Sequence, residues 1–181
     1  MENAVILEYE VEQREREVVI DYRVLNETAK TIYLFTPLSI ANGDEAAPGR
    51  VYTFLDERDV LHVTKRLWFV PDDMDIYSPE VPRMTALPAG CEYTETLSLG
   101  LPIPISYPYM ESDKSERRKR QSSGLALSIG YVKAEDVKDL PALEESRGDD
   151  ESMAVDYETA ANGQRLLEGE VLEFNVAVEN S

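Results

Sequence analysis

One histidine, His62, and one cysteine, Cys91, are the whole supply of imidazole and thiol in this chain. A thiolate nucleophile needs a base to generate it and a third group to orient that base. Both residues fall in stretches of strand-like alternation. Cys91 follows the turn Pro88-Ala89-Gly90 and begins an inward-facing row with Tyr93, while His62 points opposite to Leu61 and Val63. A buried, inert cysteine and an ordinary surface histidine are therefore expected. Closed zinc sites draw four ligands mainly from Cys and His, a set this chain does not hold. Gly-rich phosphate loops, a Gly-x-Ser-x-Gly elbow and kinase signatures are also missing. No cofactor is expected and no catalytic residue is assigned.

Carboxylates are the abundant reactive group, with 36 Asp and Glu against 18 Lys and Arg. Asp72, Asp73, Asp75 and Glu80 gather in the irregular connection between Pro71 and Pro82. Hard oxygen ligands suit calcium, yet the spacing lacks the central glycine and terminal glutamate of an EF-hand. A solvated acidic loop is the first reading, with calcium a weak second. Carboxylate pairs also serve as acid and base in glycosidases, so a hydrolase acting through Asp72, Asp73 or Asp75 is one functional alternative.

The contrasting feature is Leu101 to Tyr109, followed by the basic run Arg117-Arg118-Lys119-Arg120. Each proline of the first stretch lacks the donor a ladder needs, which excludes a central strand and implies a stiff, extended loop. Pro102, Pro104 and Pro108 restrict its freedom, so exposed Ile103, Ile105, Tyr107 and Tyr109 lose less entropy on docking. Aromatic anchors of this kind recur at binding hot spots. These four residues and the four basic ones form the candidate binding surface, with a protein as the expected partner; the alternatives are that the loop side chains cover an open edge of the sandwich, and that the basic run is a solvated loop, a nuclear-localisation signal or a protease processing site.

The elements that position these groups read as strands. Val5, Leu7, Tyr9 and Val11 alternate with Ile6, Glu8, Glu10 and Glu12, and Val18, Ile20, Tyr22 and Val24 alternate again after a charged turn. Thr31 to Phe35 is β-branched and aromatic and ends at Pro37; residues 42–49 are punctuated as a loop. Val51 to Leu55 and Val60 to Trp68 flank a turn as a hairpin, with Leu61, Val63 and Leu67 on one face. Tyr93, Leu97 and Leu99 form another row, interrupted by Glu95. Leu125 to Tyr131 and Leu172 to Val178 alternate as late strands, Asn162-Gly163 signals a turn, and Ala134 to Leu140 allows one short helix. Many short strands without a βαβ rhythm imply an all-β domain, sandwich or barrel.

The order VIDYRVLNETAKTIYLF, then a hairpin, then LPAGCEYTETLSL resembles bacterial immunoglobulin-like domains across the central half of the chain. It is also loosely similar to the intracellular proteinase-inhibitor type of such domains. The resemblance implies an antiparallel immunoglobulin-like β-sandwich, here with long loop insertions, and carries no functional residue over.

A single domain spans 1–181, with flexible loops expected at 110–124 and 144–152. The net charge of −18 repels phosphate backbones and anionic head groups, so neither nucleic acid nor membrane is an expected partner. No apolar run approaches the roughly 20 residues that span a bilayer. The acidic, alternating N-terminus is unlike a secretory signal, which makes cytoplasmic residence the expectation. A non-catalytic protein-interaction or accessory domain is the leading functional expectation, ahead of an intracellular proteinase inhibitor and a carboxylate-dependent hydrolase.

Overall fold

The computed structural model describes residues 4–36, 38–40, 43–47, 49–110, 119–137 and 153–180. The alternating stretches become strands: β1 (Val5–Gln13), β2 (Glu17–Asn26), β3 (Ile32–Leu34), β4 (Leu38–Ile40), β5 (Gly43–Ala47), β6 (Tyr52–Leu55) and β7 (Val60–Lys65). They continue with β8 (Thr85–Leu87), β9 (Glu92–Gly100), β10 (Ile103–Ile105), β11 (Lys119–Gln121), β12 (Gly124–Lys133), β13 (Arg165–Glu168) and β14 (Ala177–Asn180). One α-helix, α1 (Tyr157–Gly163), precedes β13. No helix among the described residues is long and apolar enough to cross a membrane.

One layer is a three-stranded antiparallel sheet in the order β1-β2-β9. Its middle strand buries Val18, Ile20, Tyr22 and Val24, while Arg23 on the outer face reaches Glu8 (2.5 Å) and Glu92 (3.2 Å) on the two flanking strands. Exposed pairs of this kind add little stability, but they agree with the register that the apolar rows dictate. Tyr9 ties the sheet to the layer below by donating to the Leu125 and Glu170 carbonyls.

The second layer is organised around β12, which is buried on both faces. On one edge it pairs in parallel with β7 over its first half and antiparallel with β3 over its second. On the other edge lie Leu172 and β13. β11 leads into β12 through Ser122, whose N–H donates to Val176 O (2.9 Å), and β11 itself pairs with β14. β14 pairs in parallel with β10, and the Ser106 that follows exchanges two backbone bonds with Thr53 of β6 (2.8 and 3.0 Å). Since β6 pairs with β7 and β7 with β12, this circuit of pairings returns to its starting strand. The all-β expectation holds, but two ladders are parallel, a property that alternation along single strands does not reveal.

Three local expectations are corrected. β10 is flanked on both edges although Pro104 stands at its centre. Successive residues aim their peptide groups at opposite edges, so Ile103 and Ile105 serve β14 while Pro104 faces β6, where only its carbonyl is engaged, by Thr53 Oγ1 (2.5 Å). The missing donor thus falls where the β6 contact has thinned to the Thr53–Ser106 pair. Residues 43–47 form β5 against β4 instead of a loop. Asn162-Gly163 ends α1 and is no hairpin turn; the helix starts at Asp156, whose side chain accepts from Thr159 N (2.9 Å). A Cβ at Gly163 would lie 2.6 Å from Val132 Cγ1, which explains the small residue. Of the stretches 110–124 and 144–152, the structure describes 110 and 119–124, where β11 and the start of β12 lie; 111–118 and 144–152 lie outside the described residues, as does Pro37. Of the helix expected over Ala134 to Leu140, a 3-10 turn covers Ala134–Asp136 and residues 138–140 lie outside the described set.

The main core lies between the layers, joining Ile20, Tyr22 and Leu97 to Leu61, Val63, Leu125 and Leu127. A second cluster, including Phe35, Leu67, Met84, Val132 and Ala160, involves α1. Leu67 therefore leaves the face of Leu61 and Val63, because β7 ends at Lys65. Glu95 keeps its place in the inward row of β9: Lys65, fully buried, donates to both of its carboxylate oxygens at 2.7 Å. Tyr22 Oη donates to the same carboxylate, and Tyr93 Oη lies 3.5 Å away. Burial drives the Lys65 pKa down, and Glu95 opposes that shift; burial likewise pushes the Tyr22 hydroxyl far up. Breaking a buried pair leaves an uncompensated charge, so Lys65→Met is expected to lower the unfolding free energy by about 3–5 kcal/mol in urea titration. Replacing the whole set, Lys65→Met with Glu95→Leu and Tyr22→Phe, is expected to recover most of that loss; a triple variant no more stable than the single one contradicts this account.

Candidate functional site

The β6–β7 hairpin turns on Asp56. Its Oδ1 accepts from the backbone N–H groups of Arg58 and Val60 (both 2.9 Å), and its Oδ2 from the Arg58 guanidinium (3.1 Å). His62 Nε2 stands 3.2 Å from the same Oδ2; a carboxylate only accepts, so this nitrogen carries the proton. Partial burial alone would raise the Asp56 carboxyl. The Val60 N–H, His62 and Arg58 together hold it well below the usual carboxylate range. Asp59 completes the turn with φ of 59°.

Residues at alternate positions of the hairpin share a face with Phe54 and His62, opposite Leu61 and Val63. The His62 ring stacks on Phe54 at 4.7 Å and 6°, so this histidine is half-buried and not an ordinary surface residue. Beyond β7, Trp68 meets Phe54 edge-on at 5.6 Å and Tyr52 at 6.0 Å. Tyr107 stacks on Trp68 at 4.9 Å and 22°. The Arg66 guanidinium lies 4.4 Å from the Trp68 ring centre and 5.7 Å from that of Phe54, within cation–π range of both.

Of this cluster, Phe54, Arg66, Trp68 and Tyr107 border a cleft of about 300 Å³. Phe54, Trp68 and Tyr107 supply its aromatic surface, Leu55 and Ile105 its aliphatic surface, and Arg66, Arg120 and Asn180 its polar groups. Arg66 is the unusual member. Its Nε is buried without a hydrogen-bond partner, and among the described residues no carboxylate comes within ion-pair distance of its guanidinium. Burial lowers its pKa from the ordinary guanidinium value, with Glu168 acting in opposition from a distance. Arg120, in contrast, is ion-paired with Asp59.

The residues expected from sequence separate accordingly. Tyr107 and Arg120 join the cleft. Ile103 is wholly buried and Ile105 is 7% exposed, so neither is the exposed anchor anticipated: their peptide pairing with β14 drives both side chains into the core. Tyr109, with φ of 62°, accepts from Glu80 N at 3.1 Å. Lys119 is exposed on β11, and Arg117 and Arg118 lie outside the described residues. Glu80 turns toward Arg50 at 3.4 Å, leaving Asp72, Asp73 and Asp75 exposed. Among the described residues no three His, Cys, Asp or Glu side chains gather as a metal site. Cys91 is exposed, not buried, because it closes the turn (Cys91 N to Pro88 O, 3.1 Å) before the inward row begins. The neighbours of His62 are Phe54 and Asp56, not Cys91.

A second depression, on the outer face of the β1-β2-β9 sheet, is bordered by Glu8, Glu10, Asp21, Arg23, Thr94 and Thr96. Its groups are largely mutually engaged, Arg23 with Glu8 and Thr96 with Asp21. The apolar face of the hairpin does not point to Arg66, Trp68 and Phe54. Their signal lies on the other face, in the even-numbered spacing His62, Arg66, Trp68 across from Phe54.

The depressed Asp56 carboxyl contributes stability that is complete above the unfolded carboxylate value of about 3.9 and is lost as pH falls through the folded value. Asp56→Asn keeps one acceptor but removes the charge, and is expected to cost about 1–2 kcal/mol at neutral pH. Thermal unfolding across a pH series is expected to show this gap narrowing below pH ~4; a gap independent of pH contradicts the assignment. Compared with known proteins, the chain matches no family model, no curated protein and no solved structure.

Proposed function

We propose that this protein is a non-catalytic binding domain for a protein partner, and that the cleft formed by Phe54, Trp68 and Tyr107 is its docking site. The observation that carries this reading is Arg66: a half-buried cation held by two aromatic rings, with no acceptor among the described residues. Of its guanidinium nitrogens only Nε is fully enclosed, so the Nη groups stay reachable, and a partner's acceptor can engage them with a charge-assisted hydrogen bond. Aromatic and arginine side chains are also the residue types that dominate binding hot spots. The immunoglobulin-like form of the sandwich belongs to the same proposal, supported by the stacking of a three-stranded antiparallel sheet on a second β-layer; the two parallel ladders depart from a wholly antiparallel version.

The other functional readings draw less from the geometry. A proteinase inhibitor needs a reactive segment standing free, whereas Ile103 and Ile105 are core residues. A carboxylate-dependent hydrolase gains no support from Asp72, Asp73 and Asp75, which are exposed and do not border the cleft.

The test is affinity capture with the wild-type chain and with the double variant Tyr107→Ala/Arg120→Glu, both verified as folded by circular dichroism. A partner retained by the wild type and weakened by about thirtyfold or more in the variant is expected for loss of a hot spot. Equal retention by both proteins rejects this cleft as the docking site.

A further inference from the structure

We infer that the cleft takes a carboxylate, presented by the partner beside an apolar or aromatic group, with Arg66 as its principal ligand. This rests on the docking reading above and specifies its chemistry. The guanidinium of Arg66 is placed by the planes of Trp68 and Phe54, so its position is set by ring packing and not by an anion of the same chain. A planar fork of N–H donors matches the two oxygens of a carboxylate. Leu55, Ile105 and Tyr107 border the same space and offer apolar surface to the group that carries the anion. The cleft, about 300 Å³, is at the small end of ligand sites, a size for one residue-scale group.

Charge selects the carboxylate over a phosphate. The chain carries a net −18, and Glu168 acts electrostatically on Arg66. A phosphate monoester near neutral pH brings close to two negative charges where a carboxylate brings one, so the repulsive background penalises it more. Arg120, held by Asp59, adds only a partly neutralised second cation. The carboxylate source is either a chain terminus or an acidic side chain, since both present the same two oxygens.

Trp68 is the only tryptophan and lies against Arg66, so its selectively excited fluorescence reports on the site directly. Four probes separate the possibilities: N-acetylphenylalanine, its neutral amide, acetyl-glutamyl-phenylalaninamide and phenyl phosphate. The expected result is saturable change with one or both carboxylate probes and none with the neutral amide. N-acetylphenylalanine alone identifies a terminal carboxylate, and the glutamyl probe alone identifies a side-chain one. Arg66→Gln is expected to weaken the carboxylate response about tenfold or more, and Arg66→Lys to restore only part of it.

An equal response to the neutral amide, tighter binding of phenyl phosphate, or no saturable response from any probe overturns the inference. If Arg66→Gln does not fold, the comparison of probes on the wild-type chain still decides. Loss of partner capture in Tyr107→Ala/Arg120→Glu without carboxylate binding leaves docking intact and removes this inference. Carboxylate binding with unchanged capture does the reverse.

Discussion

The contact between Lys65 and Glu95 sets the relation between the two β-layers. Lys65 belongs to β7 and Glu95 to β9, and Tyr22 reaches the same carboxylate from β2, so one polar cluster links three strands inside an otherwise apolar interface. Apolar packing is tolerant of small sliding, because any methyl group is an acceptable neighbour for another. An ammonium buried beside a carboxylate is not, since displacement leaves both charges without compensation. The cluster adds little to net stability over a well-packed apolar alternative, but it restricts how the three-stranded sheet sits on the layer beneath it.

That restriction extends to the cleft through the two-residue period of a strand. Lys65 and Arg66 are consecutive, so the rotation that carries Lys65 inward leaves its neighbour on the opposite face. The two cations solve the problem of partial burial differently. Lys65 is neutralised by an ion pair, whereas Arg66 is held by the electron-rich faces of Trp68 and Phe54. A slip of one residue in β7 would exchange their environments, placing an arginine in the core and a lysine among the rings. The depressed Asp56 carboxyl protects the same register from the turn, where it holds the Val60 N–H and His62.

Legibility followed the range of the forces involved. β1, β2 and β9 were readable because one face of each is solvated and the other is packed, so hydrophobicity alternates along the chain. The Pro102 to Tyr109 segment departs from the expected loop because the rule against proline in a central strand counts donors without regard to the edge they face. Pro104 points its missing donor toward a thinned contact, and Ile103 and Ile105 are free to pair with β14. Glu95 broke an apolar row for a reason carried by β7, 30 residues away. Cys91 had the parity of an inward residue but lies in the turn, where parity has no meaning.

By itself the sequence determined the all-β class, most strand positions, the acidic surface and the scarcity of imidazole and thiol groups. Each of these is a local or additive property, written in composition or in the two-residue period. Only the tertiary structure decided that β7 and β12 run parallel, that β10 joins β6 to β14, and that Arg66, Trp68, Tyr107 and Arg120 border one cleft. Those outcomes depend on contacts between residues distant in the chain, and such contacts form where the total burial is greatest, which no single segment records.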